Sequence, residues 1–395
     1  MPIHPRIDAY HDDLITWRRD FHAYPELGFE EHRTSAIVAE KLAGWGIAVE
    51  RGLAGTGLVG TLRAGTGTRA IGLRADMDAL PMTEANRFAH ASTIPGRMHG
   101  CGHDGHTTML LGAARYLAET REFDGTVHFI FQPAEEGGGG AKVMIDQGLF
   151  GRHPVDAVYG VHNDPTLPLG QGSVVAGPIQ AASDRFHIDL TGKGGHAARP
   201  HHTVDPVVVG AHIVLALQSI ASRRVDPLDS AVLSLTQFHA GEADNVIPQT
   251  AQLRGTVRTL ETRVQDEIQA MIAEIATRTA AAHGAVAELH YTRNYPPVVN
   301  HAAETERAAL ALARVIGPDQ VIRQRRPSMG GEDFAFMLLE RPGCFLKLGQ
   351  NAGARGGISV HHPNYDFNDD LLPLGASFFA ALVEQELSAT TGAGA

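Results

Sequence analysis

Four runs of the chain, 57–62, 70–74, 126–131 and 155–161, are short and largely apolar on both faces. Strands of that kind are stable only inside a sheet that helices cover on both sides. Helical patterns alternate with them, notably over 107–117, which predicts a mainly parallel, layered α/β domain. Two amphipathic helices precede the strands. Ile7, Tyr10, Leu14, Trp17 and Phe21 recur at spacings of three and four up to Pro25, and Ile37, Val38 and Leu42 mark a second helix over 34–45.

After Ala182 the pattern changes. Phe186, Ile188 and Leu190 alternate with Arg185, His187 and Asp189, as in a half-exposed strand. Asp205-Pro206 supplies an N-cap and a first-turn proline for a helix to about 222. Strands are expected at 231–238 and 250–259. Next comes a long helix with Val264, Ile268, Met271, Ile272 and Ile275 on one face and Gly284 just past its end. A strand at 286–291 completes a β-α-β-β-α-β order, a ferredoxin-like α+β unit. The α/β pattern resumes at about 297, with a helix over 305–315 and a strand over 344–348. The expected organisation is a large domain, 1–182 and 297–395, with an inserted domain at 183–296. The Ala/Thr/Gly tail after Ser388 reads as frayed.

Composition narrows the function classes. Lys and Arg number 33 against 44 Asp and Glu, a net charge of −11, which argues against a phosphate backbone as partner. No apolar run approaches the roughly 20 residues of a membrane-spanning helix, and residues 1–13 lack the apolar core of a signal peptide. Two cysteines cannot form a disulfide framework. The expectation is a cytoplasmic protein with a small-molecule substrate and neither a nucleic-acid nor a membrane partner. The histidine count of 22 points to metal binding only if position supports it.

Position does support it. Asp76 and Asp78 follow the strand at 70–74, Glu135 and Glu136 follow 126–131, and His162 follows 155–161. The densest cluster, His99, Cys101, His103, Asp104 and His106, is separated by glycines and precedes a helix. Open α/β sheets bind ligands beyond the carboxyl ends of their strands. Singly, Asp76 and Asp78 read equally as turn residues, His162 as a hydrogen-bonded loop residue and the Glu pair as a solvated loop. Cys101 and His103 in an extended loop would aim thiolate and imidazole at one point, as Zn²⁺ or a similar ion requires. A further group, His361 and His362, lies before Pro363. One of these histidines, with Cys101, His103, one Glu and His162, makes five ligands, more than a single zinc site uses and enough for two metals. Such a site suits hydrolysis. Adjacent Glu135 and Glu136 cannot both aim at it from a strand end, so one would bind metal and the other serve as general base.

Ordered segments now carry a resemblance: Arg18-Arg19-Asp20-Phe21-His22, Arg74-Ala75-Asp76-Met77-Asp78, His99-Gly100-Cys101-Gly102-His103-Asp104-Gly105-His106 and Gln132-Pro133-Ala134-Glu135-Glu136. Gly192-Lys193-Gly194-Gly195-His196, Asn245-Val246-Ile247-Pro248, Gly330-Gly331-Glu332-Asp333-Phe334 and the stretch from His361 to Asp369 extend it over nearly the whole chain. The sequence resembles the dinuclear-metal amidohydrolases that include hippurate hydrolase, bacterial N-acyl-amino-acid aminoacylases and plant indoleacetyl-amino-acid hydrolases. The resemblance implies metal ligands at Cys101, His103, Glu136, His162 and His361, Glu135 as general base, and Asp78 orienting a metal-bound histidine. It implies that His196 contacts the substrate carbonyl or carboxylate, that Asn245, Gly330 and Gly331 belong to substrate binding, and that the inserted domain is a lid. His362 stands where the family varies. The implied activity is hydrolysis of the amide bond of N-acyl amino acids with two divalent ions, Zn or Mn, with Co or Ni as alternatives. A metallo-exopeptidase of the same fold is the main rival, and a non-catalytic metal-binding relative the remote one. An exposed lid strand could pair with a second lid in a homo-oligomer.

Overall fold

The computed structural model describes residues 3–353 and 355–388, and the tail read as frayed lies outside the described residues. The chain divides into two compact units: Met1–Gly177 with Val299–Arg326 and Asp333–Ala395, and Pro178–Val298 with Pro327–Glu332. Gly330 and Gly331 therefore group with the second unit, whereas the sequence pattern kept all of 297–395 with the first. The reason is local: the Ala181 N–H bonds the carbonyls of Ser328 and Gly330.

The first unit starts with helices α1 (His11–Ala23) and α2 (His32–Gly44), which bury Leu14, Phe21, Val38 and Leu42. Strands β1 (Ala48–Leu53), β2 (Gly57–Ala64) and β3 (Ala70–Asp76) follow, then helix α3 (His103–Thr120) and strands β4 (Gly125–Gln132) and β5 (Ala157–Pro168). The sequence pattern misses β1, because Ala-Val-Glu-Arg-Gly-Leu stays mostly exposed and carries no apolar run. It is held by antiparallel pairing to β2 alone.

The second unit comprises β6 (Ser183–Thr191), β7 (Gly195–His196), α4 (Pro206–Ser219), β8 (Ala231–Ala240), β9 (Val246–Ile247), β10 (Thr250–Thr259), α5 (Thr262–Ala282) and β11 (Val286–Tyr295). Its four long strands lie in the antiparallel order β8-β10-β6-β11. Phe186, Ile188 and Leu190 of β6 point into a core that includes Val209, Ile213, Leu253, Ile268 and Ile272, leaving Arg185, His187 and Asp189 on the open face. The Asp205 carboxylate caps α4 by accepting from Val207 N at 2.8 Å. Past α5, Gly284 takes the left-handed φ of +79° that a helix stop requires.

Helix α4 corrects one expectation. With the π-helical turn Ile220–Arg224 it forms a segment, Pro206–Arg224, long and apolar enough by length and composition alone to span a membrane. Val209, Ile213 and Leu217 bury its inner face on the sheet, while Val207, Val208 and Leu215 stand exposed. A core helix with one uncovered apolar face meets the same test.

Back in the first unit, α6 (Ala302–Ile316), β12 (Gly343–Asn351) and α7 (Leu372–Glu386) complete the fold. The large sheet runs β1-β2-β4-β3-β5-β12, extended by the short strands Gly172–Ser173 and Val321–Ile322. β4, β3, β5 and β12 are mutually parallel and β2 antiparallel, so the sheet is mainly parallel. Leu73, Phe129, Tyr159, Leu346, Leu111 and Phe378 are buried in one continuous core. β5 runs past the expected end of its strand, placing His162 within it, opposite Lys347 of β12.

Candidate metal centre

His103 is the first residue of α3 rather than part of an extended loop, and Gly102 before it has a φ of +100°. A Cβ on Gly102 would lie 2.4 Å from Asn163 Oδ1 and 2.7 Å from the Tyr365 hydroxyl, so only glycine allows the turn that sets Cys101 and His103 side by side. Cys101 Sγ faces His162 Nε2 at 3.4 Å, and the His103 and His162 rings stand perpendicular with centroids 6.3 Å apart. Cys101, His103 and His162, all buried, hold their ligand atoms within 4.8 Å of one another. Cys101, Glu136 and His361 form a second such triad, and His103, Glu135 and Glu136 a third grouping. Cys101 is thus common to two triads, and Glu135 lies beside both.

Each histidine is turned by a partner on its other nitrogen. His162 Nδ1 donates to the Asn163 carbonyl at 2.7 Å, and His103 Nδ1 to Asp78 Oδ1 at 3.2 Å. Both rings therefore turn Nε2 toward the cluster. His103 Nε2 is buried and makes no hydrogen bond, a cost that a metal at this point would remove. Asp78 uses its second oxygen to accept from Glu136 N at 2.9 Å, so one carboxylate orients a ligand in each triad.

The two histidines at the C-terminal cluster face different partners. His361 Nε2 lies 3.0 Å from Glu136 Oε1, whereas His362 Nδ1 accepts from Asn364 N at 3.0 Å. His361 adopts a left-handed φ of +63°, held by a 2.7 Å bond from its N–H to the Gly100 carbonyl. Such strain persists only where the surroundings over-determine it.

Other groups in the cluster are spoken for. His106 has Nδ1 on Asp76 Oδ1 at 2.6 Å and Nε2 against Asn163, which leaves it no atom for a metal. The Glu135–Glu136 loop is anchored on either side. Buried Glu31 accepts from Ala134 N at 2.9 Å, and Asp333 accepts from Ala141 N and Gln132 Nε2 at 2.9 and 2.8 Å. Sequence reasoning missed Glu31 and Asp333 as supports. The only signal was the place of Asp333 in a matched segment, and an acidic residue outside such a segment, as Glu31 is, reads as surface.

The electrostatics suit a cation. Burial first, then the Glu136 carboxylate, push the Cys101 thiol up to about 12. Burial works against charge on His103, but Asp76 and Asp78 more than offset it and hold its pKa well above the ordinary imidazole range. Burial and Lys347 drive His162 well below that range, so it offers a neutral donor. One thiol, three imidazoles and a carboxylate converging here fit two divalent metal ions.

His196 and Asn245 lie in the second unit. There β7 pairs with β9 in the register Val246↔His196, and the Asn245 carbonyl accepts from Ala197 N at 3.0 Å. The two are neighbours, and His196 is exposed. Gly330 and Gly331 sit against Gln180–Ser183, with the Gly331 carbonyl accepting from Gln180 Nε2 at 3.2 Å.

Comparison with known proteins matches residues 72–385 to Peptidase family M20/M25/M40. IAA-amino acid hydrolase ILR1-like 4 of Arabidopsis thaliana is 40% identical over 97% of this chain and 89% of its own length. Hippurate hydrolase of Campylobacter jejuni is 39% identical over 97% of this chain and 98% of its own. Among solved structures, a dinuclear metal-binding peptidase of the M20 family from Bacillus subtilis superposes with a TM-score of 0.84 at 34% identity, covering 96% of this chain and 99% of that one. The chain belongs to the M20/M25/M40 peptidase family.

Proposed function

We propose that this protein is a metal-dependent hydrolase of the amide bond in N-acyl amino acids, releasing a carboxylic acid and a free amino acid. The observation that carries it is the pair of ligand triads sharing Cys101, with Glu135 beside them. Cys101, His103 and His162 would hold one divalent ion, and Cys101, Glu136 and His361 the other. When bound, such ions polarise a carbonyl oxygen and make water acidic enough to react near neutral pH. Glu135 takes the proton of the attacking water and passes it to the leaving amine. Asp78 keeps His103 and Glu136 aligned while this happens. In the second unit, His196 and Asn245 bind the carbonyl or carboxylate of the substrate, a role supported by their adjacency and by the exposed imidazole.

Dialysis against a strong chelator should abolish hydrolysis of N-acetyl, N-benzoyl and long-chain acyl amino acids, and Zn²⁺ or Mn²⁺ should restore it. Full activity in metal-stripped protein would sink the mechanism. The same panel should include dipeptides, because the family name and the Bacillus subtilis relative are those of peptidases. Cleavage of dipeptides alone would make the protein an exopeptidase with the same machinery.

The lid unit also supports self-association. β8 is an edge strand whose Phe238 packs on Gly210 and stays partly exposed, and Val207, Val208 and Leu215 of α4 add exposed apolar surface to this unit. A second copy adding its own β8 would satisfy the open strand edge and cover this surface. Leu215→Glu is expected to convert a dimer to a monomer in light scattering. A wild-type chain that is already monomeric at high concentration would exclude the arrangement.

A further inference from the structure

Away from the two triads, the open face of the lid sheet carries a second cluster of metal-binding side chains. His187 of β6 and His290 of β11 are direct cross-strand partners, and Asp189 and Glu288 form the next same-face pair. The two imidazoles stack with centroids 4.3 Å apart and planes 19° from parallel. Their Nε2 atoms lie 3.4 and 3.3 Å from one and the same oxygen, Asp189 Oδ2. Asp189 is held in that pose by Gln252 Nε2, which donates to its other oxygen at 2.7 Å. Glu288 Oε1 stands 3.7 Å from His290 Nε2.

We infer that His187, His290 and Asp189, with Glu288 closing the set, form a peripheral site for a late first-row divalent ion such as Zn²⁺. A tetrahedral ion with ligand bonds of about 2.0–2.1 Å keeps its ligand atoms about 3.3–3.4 Å apart. The two imidazole-to-Asp189 separations already match that spacing. Two imidazoles select Zn²⁺, Cu²⁺ or Ni²⁺ over Ca²⁺ or Mg²⁺, which prefer oxygen. Arg185, two residues before His187 on the same open face, and Arg254, its cross-strand neighbour on β10, oppose a cation, and the carboxylates of Asp189 and Glu288 balance their two charges. The Arg254 guanidinium is hydrogen-bonded to Gln252 at 3.3 Å. The bound ion would tie the edge strand β11 to β6 across the sheet.

The test uses the full-length protein with its own metals in place, dialysed to equilibrium against Zn²⁺ and counted by elemental analysis. Wild type should retain one more equivalent of Zn²⁺ than His187→Gln/His290→Gln, with amide hydrolysis the same in both. Asp189→Asn, which keeps both rings, should weaken that equivalent. A control, His212→Gln/His283→Gln, removes another stacked pair of this unit, with centroids 4.7 Å apart, and should keep it. In wild type, Cu²⁺ at the site should give an electron paramagnetic resonance signal with nitrogen couplings from two imidazoles. Denaturation midpoints in chelator show whether each variant is folded. Equal zinc content in wild type and the His187/His290 variant, or an equal loss in the control, overturns the site.

Discussion

Glu135→Gln is expected to lower kcat for N-acyl amino acid hydrolysis by roughly 10²–10⁴-fold, the contribution of a well-placed general base. The amide is nearly the shape of the carboxylate, but it cannot take a proton from water or return one to a leaving amine. On the proposed assignment the metal-facing carboxylate is that of Glu136, so elemental analysis should find the metal content unchanged. KM should move little. A variant within a few-fold of wild type would place the base elsewhere. A variant that lost its metals would mean Glu135 is itself a ligand.

The second large effect concerns stability. Arg18 is fully buried in α1, with its guanidinium 2.7 Å from Asp369, 3.0 Å from Asp366 and 3.6 Å from Asp104. His22, one turn on, donates through Nδ1 to Asp104 at 2.8 Å and lies 3.2 Å from Glu84. Asp104 follows the ligand His103 directly, and despite its burial the His22 and Arg18 charges hold its pKa far below the carboxylate range. Arg18→Met removes the fully buried cation of this network, leaving Asp104 to His22 and Asp369 to Arg19, and should cost about 3–5 kcal/mol. Urea midpoints in chelator, where metal binding adds nothing, would show it. Arg19→Ala is the comparison. Its side chain is 48% exposed and pairs with the same Asp369 at 2.8 Å, and an exposed partner of this kind is worth about 1 kcal/mol or less. Equal costs for the two would mean that the buried charge network contributes no more than the surface pair.

What could be read from the sequence is what depends on nearest neighbours. The strands apolar on both faces, the Asp205-Pro206 helix start and the Gly284 stop are local signals, and the structure has each of them. β1 escaped because an edge strand need not be apolar. The sequence places His162 just past its strand, because pairing with β12, from the far end of the chain, is what extends β5 beyond the apolar run. Cys101 and His103 stand out in the sequence because thiol and imidazole between glycines have few other uses, whereas Glu136, His162 and His361 are assigned as ligands only through the family resemblance. Their supports do not stand out. Glu31, Asn163, Asp333 and Tyr365 come from four distant segments, and each acquires its role only when a backbone N–H or a ring is brought within 3 Å. The choice of His361 over His362 likewise rests on a left-handed backbone turn that the pair of identical side chains cannot announce.

Asp78 touches His103 with one oxygen and the Glu136 amide with the other. One carboxyl group thus holds a residue of each candidate triad, the ring of His103 and the backbone of Glu136. Lengthening or shortening that side chain would displace His103 and Glu136 together, while His162 and His361 keep their own anchors on Asn163 and Gly100. Within the first unit, this residue behaves as a gauge block: it takes no part in the reaction, yet the tolerance of the site is inherited from it.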